Sequence, residues 1–188
     1  LLYGGGLNRV LPARNGRGHV LEILHAMLPP AVPPVDGEAT RLHELLNAAM
    51  PVLKRRCTVF VVSDFISQPG WHQALGRLAL RHDVVAVRLL DPLELELPDL
   101  GLLTLRDAET GEHLVVDTHD AGFRRRFARI AAQREAELRE GLALAGVDTL
   151  ELSTDDDLVD ALLRFVELRR RRQHLHNGSA LPRHLNAA

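Results

Sequence analysis

The stretch Cys57-Thr-Val-Phe-Val-Val-Ser-Asp-Phe65 decides the fold, because an apolar, β-branched run ends in a Ser-Asp pair at the point where the chain must turn. Continuous runs of this kind are typical of buried strands in parallel sheets. Proteins with such sheets place their ligands beyond the carboxyl ends of the strands. The sequence therefore predicts a buried strand that places the Asp64 carboxylate at an edge of the sheet where a ligand can bind.

Strands and helices alternate along the rest of the chain. Apolar residues at helical spacing predict helices, and short apolar runs predict further strands. The predicted helices cover about 17–28, 41–53, 70–81 and 123–145 with a closing helix to Arg172, and the predicted strands cover 7–11, 58–63, 84–90 and 148–152. This alternation favours an α/β fold with a mostly parallel sheet flanked by helices.

A β-hairpin interrupts this pattern near 102–116. Residues 102–105 and 113–116 have period-two character and flank the turn-forming segment Asp107-Ala-Glu-Thr-Gly111. We expect the hairpin at an edge of the fold or protruding from it. Later, the acids of Thr154-Asp-Asp-Asp157 resemble a capping box for the closing helix, with Thr154 as the cap, more than a metal site.

The composition predicts one folded domain over residues 1–172 and a disordered polar tail over 173–188. The chain has 188 residues, of which 46% are hydrophobic, so a sizeable core can form. Its net charge of −2 argues against nucleic-acid binding. No apolar run reaches the roughly 18 residues of a membrane span, so we expect no membrane contact from this chain. The first residue is not Met, so we expect the sequence to start inside a longer protein.

Cys57 is the one cysteine, and its position at the start of an apolar strand predicts a small, reduced, buried side chain and a cytoplasmic location. No histidine is spaced in the sequence as a recognisable partner for Cys57 or Ser63. His82 is interpreted as a structural residue at a helix end, where a cation suits the helix dipole.

Asp64 leaves two interpretations open. It can cap the turn that follows the strand, or it can bind a hard cation such as Mg²⁺, which prefers oxygen ligands and keeps several waters. A hydroxyl from a neighbouring loop, Thr40, would join it if both loops lie at the same end of the sheet, and Ser63 would support them. Thr40 can equally cap the helix that follows it.

Several short motifs in one order resemble a known family. Ser63-Asp-Phe65, Arg81-His-Asp-Val-Val-Ala-Val87, Asp91-Pro92 with Glu94, Leu97-Pro-Asp99 and Asp107-Ala-Glu-Thr-Gly111 are similar to bacterial proteins of the von Willebrand factor A (VWA) type that are encoded beside MoxR-type AAA+ ATPases. The resemblance runs from about Gly16 to Arg170.

This resemblance implies a Rossmann-like VWA fold and a protein-binding role with a MoxR-type AAA+ ATPase as partner. It also implies a metal-ion-dependent adhesion site, to which Thr40 and Asp64 carry over as candidate Mg²⁺ ligands. The D-x-S-x-S loop of that site is absent from the sequence, so the domain is expected to lack its first strand at the N-terminus. An unfilled strand position would lower stability or promote a homodimer.

The sequence is therefore compatible with three functions. The first is a non-enzymatic interaction module that acts as an adaptor in chaperone-like assembly or maturation. The second is a metal-dependent hydrolase or phosphoryl-binding enzyme using Asp64, although no general base or phosphate-binding lysine accompanies it. The third is a structural subdomain whose polar residues are all caps.

Overall fold

The computed structural model describes residues 1–3, 7–28, 41–106 and 113–178. Thr40 and the hairpin turn 107–112 lie outside this range. Within it, the helices and strands are, in chain order, β1 (Leu2–Tyr3), β2 (Leu7–Arg9), α1 (Arg17–Met27), α2 (Leu42–Val52), β3 (Thr58–Ser63), α3 (Trp71–Ala79), β4 (Asp83–Leu90), β5 (Leu102–Arg106), β6 (His113–Asp117), α4 (Ala121–Ala145), β7 (Asp148–Ser153) and α5 (Leu158–Gly178).

A three-stranded parallel sheet in the order β3-β4-β7 forms the centre of the fold. Thr58 of β3 pairs with Asp83 of β4, and Ser63 pairs with Arg88. On the other side of β4, Val85 pairs with Asp148 and Leu90 with Ser153. All three strands therefore end at one edge, which confirms the predicted α/β class and the parallel sheet.

The two strands β3 and β4 differ in burial although both are apolar. In β4, Val84 to Arg88 are all buried, because the strand lies between two neighbours and is covered on both faces. In β3, only Val61 is fully buried, while Phe60 and Val62 are exposed. The prediction of a buried strand is therefore wrong for most of β3, which is an edge strand within the described residues.

The main core lies on the face of the sheet covered by α2, α3 and α4. Leu46 of α2 and Leu75 and Leu78 of α3 are buried there against Val61 and Ala86 of the sheet. Helix α5 covers the opposite face, where Phe165 packs against a smaller cluster that includes Val85 and Leu150. Arg169 of α5 also forms ion pairs with Asp83 and Asp148 at the amino end of the sheet.

Strands β5 and β6 form the predicted hairpin as a separate antiparallel pair, from Leu102↔Asp117 to Arg106↔His113. Thr118 closes its base, since this fully buried residue donates its hydroxyl to the Gly101 carbonyl oxygen at 2.7 Å and accepts from the Leu100 N–H at 3.0 Å. The described part of the hairpin is therefore separate from the central sheet, and its residues Leu102, Leu114 and Val115 are exposed.

The ends of α4 follow from local chemistry. Asp120 accepts a hydrogen bond from the Gly122 N–H at 2.7 Å, and this bond lowers the pKa of Asp120, as do the neighbouring Phe123 N–H and arginines. Gly146 ends the helix at φ 65°, where a residue without Cβ is favoured, so the predicted stop is confirmed.

Two predictions about α5 are wrong. Its cap is Asp157, not Thr154, since Asp157 Oδ1 accepts from the N–H groups of Val159 and Asp160 at 2.9 and 3.0 Å. The helix also runs to Gly178, beyond the predicted end at Arg172 and into the segment expected to be disordered. Among the helices of the described ranges, none combines the length and apolar character needed to cross a bilayer.

Candidate functional site

Asp64 follows β3 directly and is exposed at the carboxyl edge of the sheet. One of its carboxylate oxygens, Oδ1, accepts from the Ile66 N–H at 2.9 Å and from the Ser63 hydroxyl at 3.3 Å. Ser63 Oγ in turn accepts from the Phe65 N–H at 3.0 Å. The turn-capping interpretation of Asp64 is therefore present in the structure, whereas the support that Ser63 would give to a metal site stays a prediction. These bonds use Oδ1 of the exposed carboxylate.

Phe65 holds this turn in place. It has φ 61°, a left-handed conformation that costs free energy for a bulky residue. Its side chain is only 3% exposed and packs on the Trp71 ring, with centroids 5.2 Å apart. Burial of the aromatic ring therefore offsets the backbone strain, and the loop presents Asp64 on one side while Phe65 anchors it on the other.

The loop after Asp64 also contacts the start of α2. The Leu42 N–H donates to the Ser67 hydroxyl at 2.9 Å. The first residue of α2 is thereby attached to the loop that follows Asp64. Thr40 itself lies outside the described residues, so its position relative to Asp64 stays a prediction.

Two more acids follow the neighbouring strand β4. Asp91 caps a short 3₁₀ turn, Pro92–Glu94, by accepting from the Leu93 N–H at 2.9 Å. Glu94 is exposed, but nearby atoms partly desolvate it. This desolvation, together with repulsion from Asp64 and Asp91, raises the pKa of Glu94 against the smaller attraction of Arg88. We call Asp64, Asp91 and Glu94 the strand-end acids.

A buried arginine lies beneath the strand-end acids. Arg88 of β4 is 3% exposed, and its guanidinium forms a two-pronged pair with Glu135 of α4 and a 3.3 Å bond to Glu151 of β7. Burial opposes the charge of Arg88, but the bonds to both glutamates outweigh it and raise the pKa of the guanidinium. The charged network joins two strands and α4 directly below the candidate site.

The described residues do not assemble a metal centre by themselves. No group of three or more His, Cys, Asp or Glu side chains among them is arranged to hold a metal ion. Asp64 and Ser63 offer two oxygen donors, and hard cations need about six. A complete site would require Thr40 or ligands from another molecule.

Apolar side chains are interspersed with the acids. Ile66 and Leu93 are 48% and 54% exposed, one beside Asp64 and the other beside Glu94. Behind the Asp64 turn, a cavity of about 320 Å³ opens between Phe65, Trp71, His72, Arg134 and Gly141. Exposed aliphatic residues next to fixed charges are a combination that favours contact with a protein surface.

Sequence reasoning identified Asp64 and Ser63 but did not assign roles to Arg88, Glu94 or Glu135. The signal for Arg88 was available, since a single charge inside the apolar run 84–90 implies a buried partner. Glu94 appeared only as part of a family motif. Glu135 could not be found, because its proximity to Arg88 depends on how α4 packs on the sheet.

A parallel α/β sheet with acids and apolar residues at its strand ends defines the class: an α/β domain with a candidate binding surface at the carboxyl edge. Within that class, the chain belongs to the DUF58 family, described as proteins of unknown function, whose model matches residues 1–137. The family assignment agrees with the predicted membership of an uncharacterised family.

Relatives in mycobacteria support the same assignment. The uncharacterized protein MAV169 of Mycobacterium avium is 37% identical over 161 residues, which cover 86% of this chain and 94% of that protein. The uncharacterized protein Rv1480 of Mycobacterium tuberculosis is 36% identical over 170 residues, 89% of this chain but only 52% of its own length. This chain therefore spans about half of the longer relative.

Among solved structures, the conserved hypothetical protein BatB from Bacteroides thetaiotaomicron is similar to 84% of this chain and 70% of its own. The TM-score is 0.45 and the sequence identity is 14%.

Proposed function

We propose that this chain is a non-enzymatic protein-binding module that docks on its partner through the carboxyl edge of the sheet. The observation that carries the proposal is the strand-end surface, where the strand-end acids alternate with the exposed Ile66 and Leu93. Fixed carboxylates would select a partner with basic residues, and the aliphatic side chains would supply apolar contact area.

The partner we propose is a MoxR-type AAA+ ATPase, which the chain would serve as an adaptor in the cytoplasm during assembly or maturation of other proteins. The resemblance of the Ser63-Asp-Phe65 region to VWA-type proteins supports this choice. The same proposal includes a VWA-type fold in which a further strand pairs with the free edge of β3. This strand would give β3 a second neighbour and help to cover Phe60 and Val62.

A Mg²⁺ ion shared with the partner is the second part of the proposal. Asp64 would be a direct ligand, with Thr40 as a hydroxyl ligand and Ser63 as support. Asp64 Oδ2 is not needed for the turn, because the Ile66 N–H and the Ser63 hydroxyl bond to Oδ1. The remaining ligands would come from the partner and from water, since Mg²⁺ commonly keeps several waters in protein sites.

The test is a binding measurement between this protein and the MoxR-type ATPase from the same genome, by calorimetry, with Mg²⁺ and with EDTA. Asp64→Asn is the informative variant, because an amide oxygen can still accept from the Ile66 N–H while the charge is lost. We expect at least about tenfold weaker binding, which is the effect typical of losing one buried charged contact.

Glu140→Gln is the matched control, because it removes one exposed carboxylate on α4 away from the strand ends. It should leave binding unchanged. Loss of binding in EDTA and in Asp64→Asn would support the metal-bridged adaptor. Binding that survives EDTA but not Asp64→Asn would keep the adaptor and remove the metal. No binding of the ATPase under any condition would contradict the proposed partner.

One observation favours the enzymatic alternative as a second candidate. Glu94 has a raised pKa beside Asp64, and a perturbed carboxyl next to a charged one is a common arrangement for acid–base chemistry. A hydrolase or phosphoryl-binding enzyme would use Asp64 with a metal and Glu94 as the proton donor. Phosphatase activity that disappears in both Asp64→Asn and Glu94→Gln would support this candidate over the binding module.

A further inference from the structure

Exposed basic residues from separate parts of the chain meet at the amino end of the central sheet, opposite the strand-end acids. Residues 54–56, Lys-Arg-Arg, precede β3, and Arg81 precedes β4. Because β3 and β4 are paired from their first residues, these two loops lie side by side. Arg170 of α5 joins them, since it lines the same cavity as Asp83, the first residue of β4.

A side-chain contact between the two loops corrects the predictions about Cys57. Sγ of Cys57 lies 3.5 Å from Nδ1 of the buried His82, because strand pairing joins residues that are 25 positions apart. Cys57 itself is exposed. The predictions of a buried Cys57 without a histidine partner are therefore wrong, and the loops before β3 and β4 touch.

The acids at this end of the sheet are already paired. Arg169 of α5 forms ion pairs with both acids that begin strands there, Asp83 and Asp148. By contrast, residues 54–56, Arg81 and Arg170 are exposed and form no ion pair within the described parts of the chain. The amino end therefore carries positive charge that no neighbouring acid compensates, although the net charge of the chain is −2.

Exposed leucines lie at the same end. Leu80, in the turn between α3 and β4, is 86% exposed, a higher fraction than that of any other large apolar residue that the structure describes. Leu144, in the last turn of α4, is 68% exposed and lies nearby, since α3 and α4 pack together at Gly76 and Ala145. Side chains this exposed add little to the core. We call residues 54–56, Leu80, Arg81, Leu144 and Arg170 the amino-end patch.

The strand-end acids do not cancel the charge of the amino-end patch. A strand of six residues such as β3 is about 20 Å long, so the two ends of the sheet are separated by roughly that distance. At physiological ionic strength, charges are screened beyond about 8 Å. A flat anionic surface in contact with the amino-end patch therefore attracts the basic residues and is hardly affected by the acids.

We propose that the amino-end patch docks on an anionic membrane surface, with its basic side chains against the lipid headgroups and Leu80 inserted at the boundary with the acyl chains. Basic residues combined with exposed aliphatic ones are the pattern of peripheral membrane binding. A nucleic acid would use the charges, but its phosphates offer no apolar contact for Leu80.

The proposed orientation is compatible with the docking of a protein partner, because the strand-end acids then face away from the membrane. The expectation of no membrane contact rested on the lack of an apolar run long enough to span a bilayer. Such a run is not needed for binding at the surface.

The test is sedimentation of the 188-residue chain with vesicles of phosphatidylcholine, either alone or mixed with phosphatidylserine. We expect at least about tenfold tighter binding to the mixed vesicles, because each basic side chain near an anionic surface strengthens binding about fivefold. Added salt should weaken this binding. No binding to the mixed vesicles, or equal binding to both kinds, would overturn the proposal.

A pair of double variants locates the charge. Arg55→Gln with Arg56→Gln should weaken binding to the mixed vesicles by at least about tenfold. Arg125→Gln with Arg126→Gln is the matched control, because it removes the same charge from exposed arginines near the start of α4. Since α4 ends beside the start of β7, its first turns lie at the opposite end of the molecule. Equal weakening in both double variants would overturn the proposal.

Leu80→Ser tests the apolar contact without a change of charge, and it should weaken binding to the mixed vesicles by at least about threefold. Leu102→Ser is its control, since Leu102 is 74% exposed in the hairpin. Circular dichroism checks that both variants are folded. Full binding by Leu80→Ser would overturn the proposal, as would a short DNA duplex that binds as tightly as the mixed vesicles. Asp64→Asn should bind vesicles normally, so this result is independent of the proposed protein partner.

Discussion

Arg88 shows how strongly one residue can depend on its surroundings. Its guanidinium is taken out of water and stabilised by Glu135 and Glu151, and its charge also opposes the rise in the pKa of Glu94. Buried ion pairs contribute little net stability as intact units, but removal of one partner leaves an uncompensated charge. Substitutions in this network are therefore expected to change stability more than substitutions of exposed charges.

Arg88→Met is expected to lower the free energy of unfolding by about 3 kcal/mol, because Glu135, whose side chain is only 14% exposed, keeps its charge with only the more distant, exposed Arg139 to compensate it. Chemical denaturation with urea measures this loss. Arg139→Met is the matched control, since Arg139 lies 3.7 Å from the same Glu135 but has a side chain that is 69% exposed. Its loss should stay below about 1 kcal/mol. Equal losses in the two variants would contradict a special role for the buried pair.

The contribution of Glu94 to stability is expected to depend on pH. Its pKa is raised in the folded protein, so the ionised form opposes folding at pH values above that pKa, and the opposition disappears as the pH falls through it. Glu94→Gln should therefore raise the melting temperature slightly at neutral pH. The gain in the free energy of unfolding should be less than about 1 kcal/mol, because the side chain is exposed. The gain should vanish below the ordinary pKa of glutamate.

Thermal melts at a series of pH values measure this difference, with Glu96→Gln as the control. Glu96 is exposed two positions further along the chain. A stabilisation by Glu94→Gln that grows on acidification would show that the sign is wrong.

At the scale of elements, the contact between α3 and α4 depends on a missing side chain. Gly141 of α4 faces Trp71 of α3, and a Cβ at Gly141 would come within 2.9 Å of two atoms of the Trp71 ring. Trp71 also packs on Phe65, which anchors the Asp64 turn. The helix contact and the candidate site are therefore coupled through one ring.

Gly141→Ala is expected to destabilise the protein by about 1–3 kcal/mol, since overpacking forces the Trp71 ring or the helix to move. Gly76→Ala is the matched control on α3, where the nearest atom to an added Cβ is an ordinary 3.6 Å away. Alanine is the better helix former, so the control should be neutral or gain up to about 1 kcal/mol. Urea denaturation and tryptophan fluorescence measure both effects. Similar stability of the two variants would contradict the packing argument.

At the scale of the whole molecule, one edge of β3 pairs with no other strand among the described residues. The strand contains no charge, proline or bulge, and Phe60 and Val62 are exposed on it. A cavity of about 350 Å³ runs beside it, lined by Leu45, Leu53, Thr58, Phe60 and Val62 among others. Edge strands that lack a charge, a proline or a bulge commonly pair with another chain.

We expect the 188-residue chain to form a homodimer through the edge of β3, and Val62→Lys to return it to a monomer, because a charge on an edge strand discourages pairing. Light scattering coupled to gel filtration measures the mass. Val115→Lys is the control, since Val115 is 65% exposed but lies in the hairpin. A monomer at all concentrations, or a dimer in both variants, would contradict this edge as the interface.

The sequence by itself determined the order of the elements, the parallel strands, the hairpin and the end of α4 at Gly146. These features follow from local signals such as apolar periodicity, β-branched runs and turn residues, which act over a few positions. The turn at Ser63-Asp64 was predictable for the same reason, since its hydrogen bonds join residues at most two positions apart. The cap of α5 at Asp157 was missed only because two local candidates competed.

Only the tertiary structure decided the remaining features. It made β3 an edge strand, placed Glu135 against Arg88, and brought His82 to Cys57. Each of these depends on which elements become neighbours, and the contacts span 25 to 47 positions in the sequence. Apolar patterning shows that a side chain will be buried, but packing chooses its partner. The charge balance at the strand ends and the environment of the thiol therefore emerge only when the sheet and helices assemble.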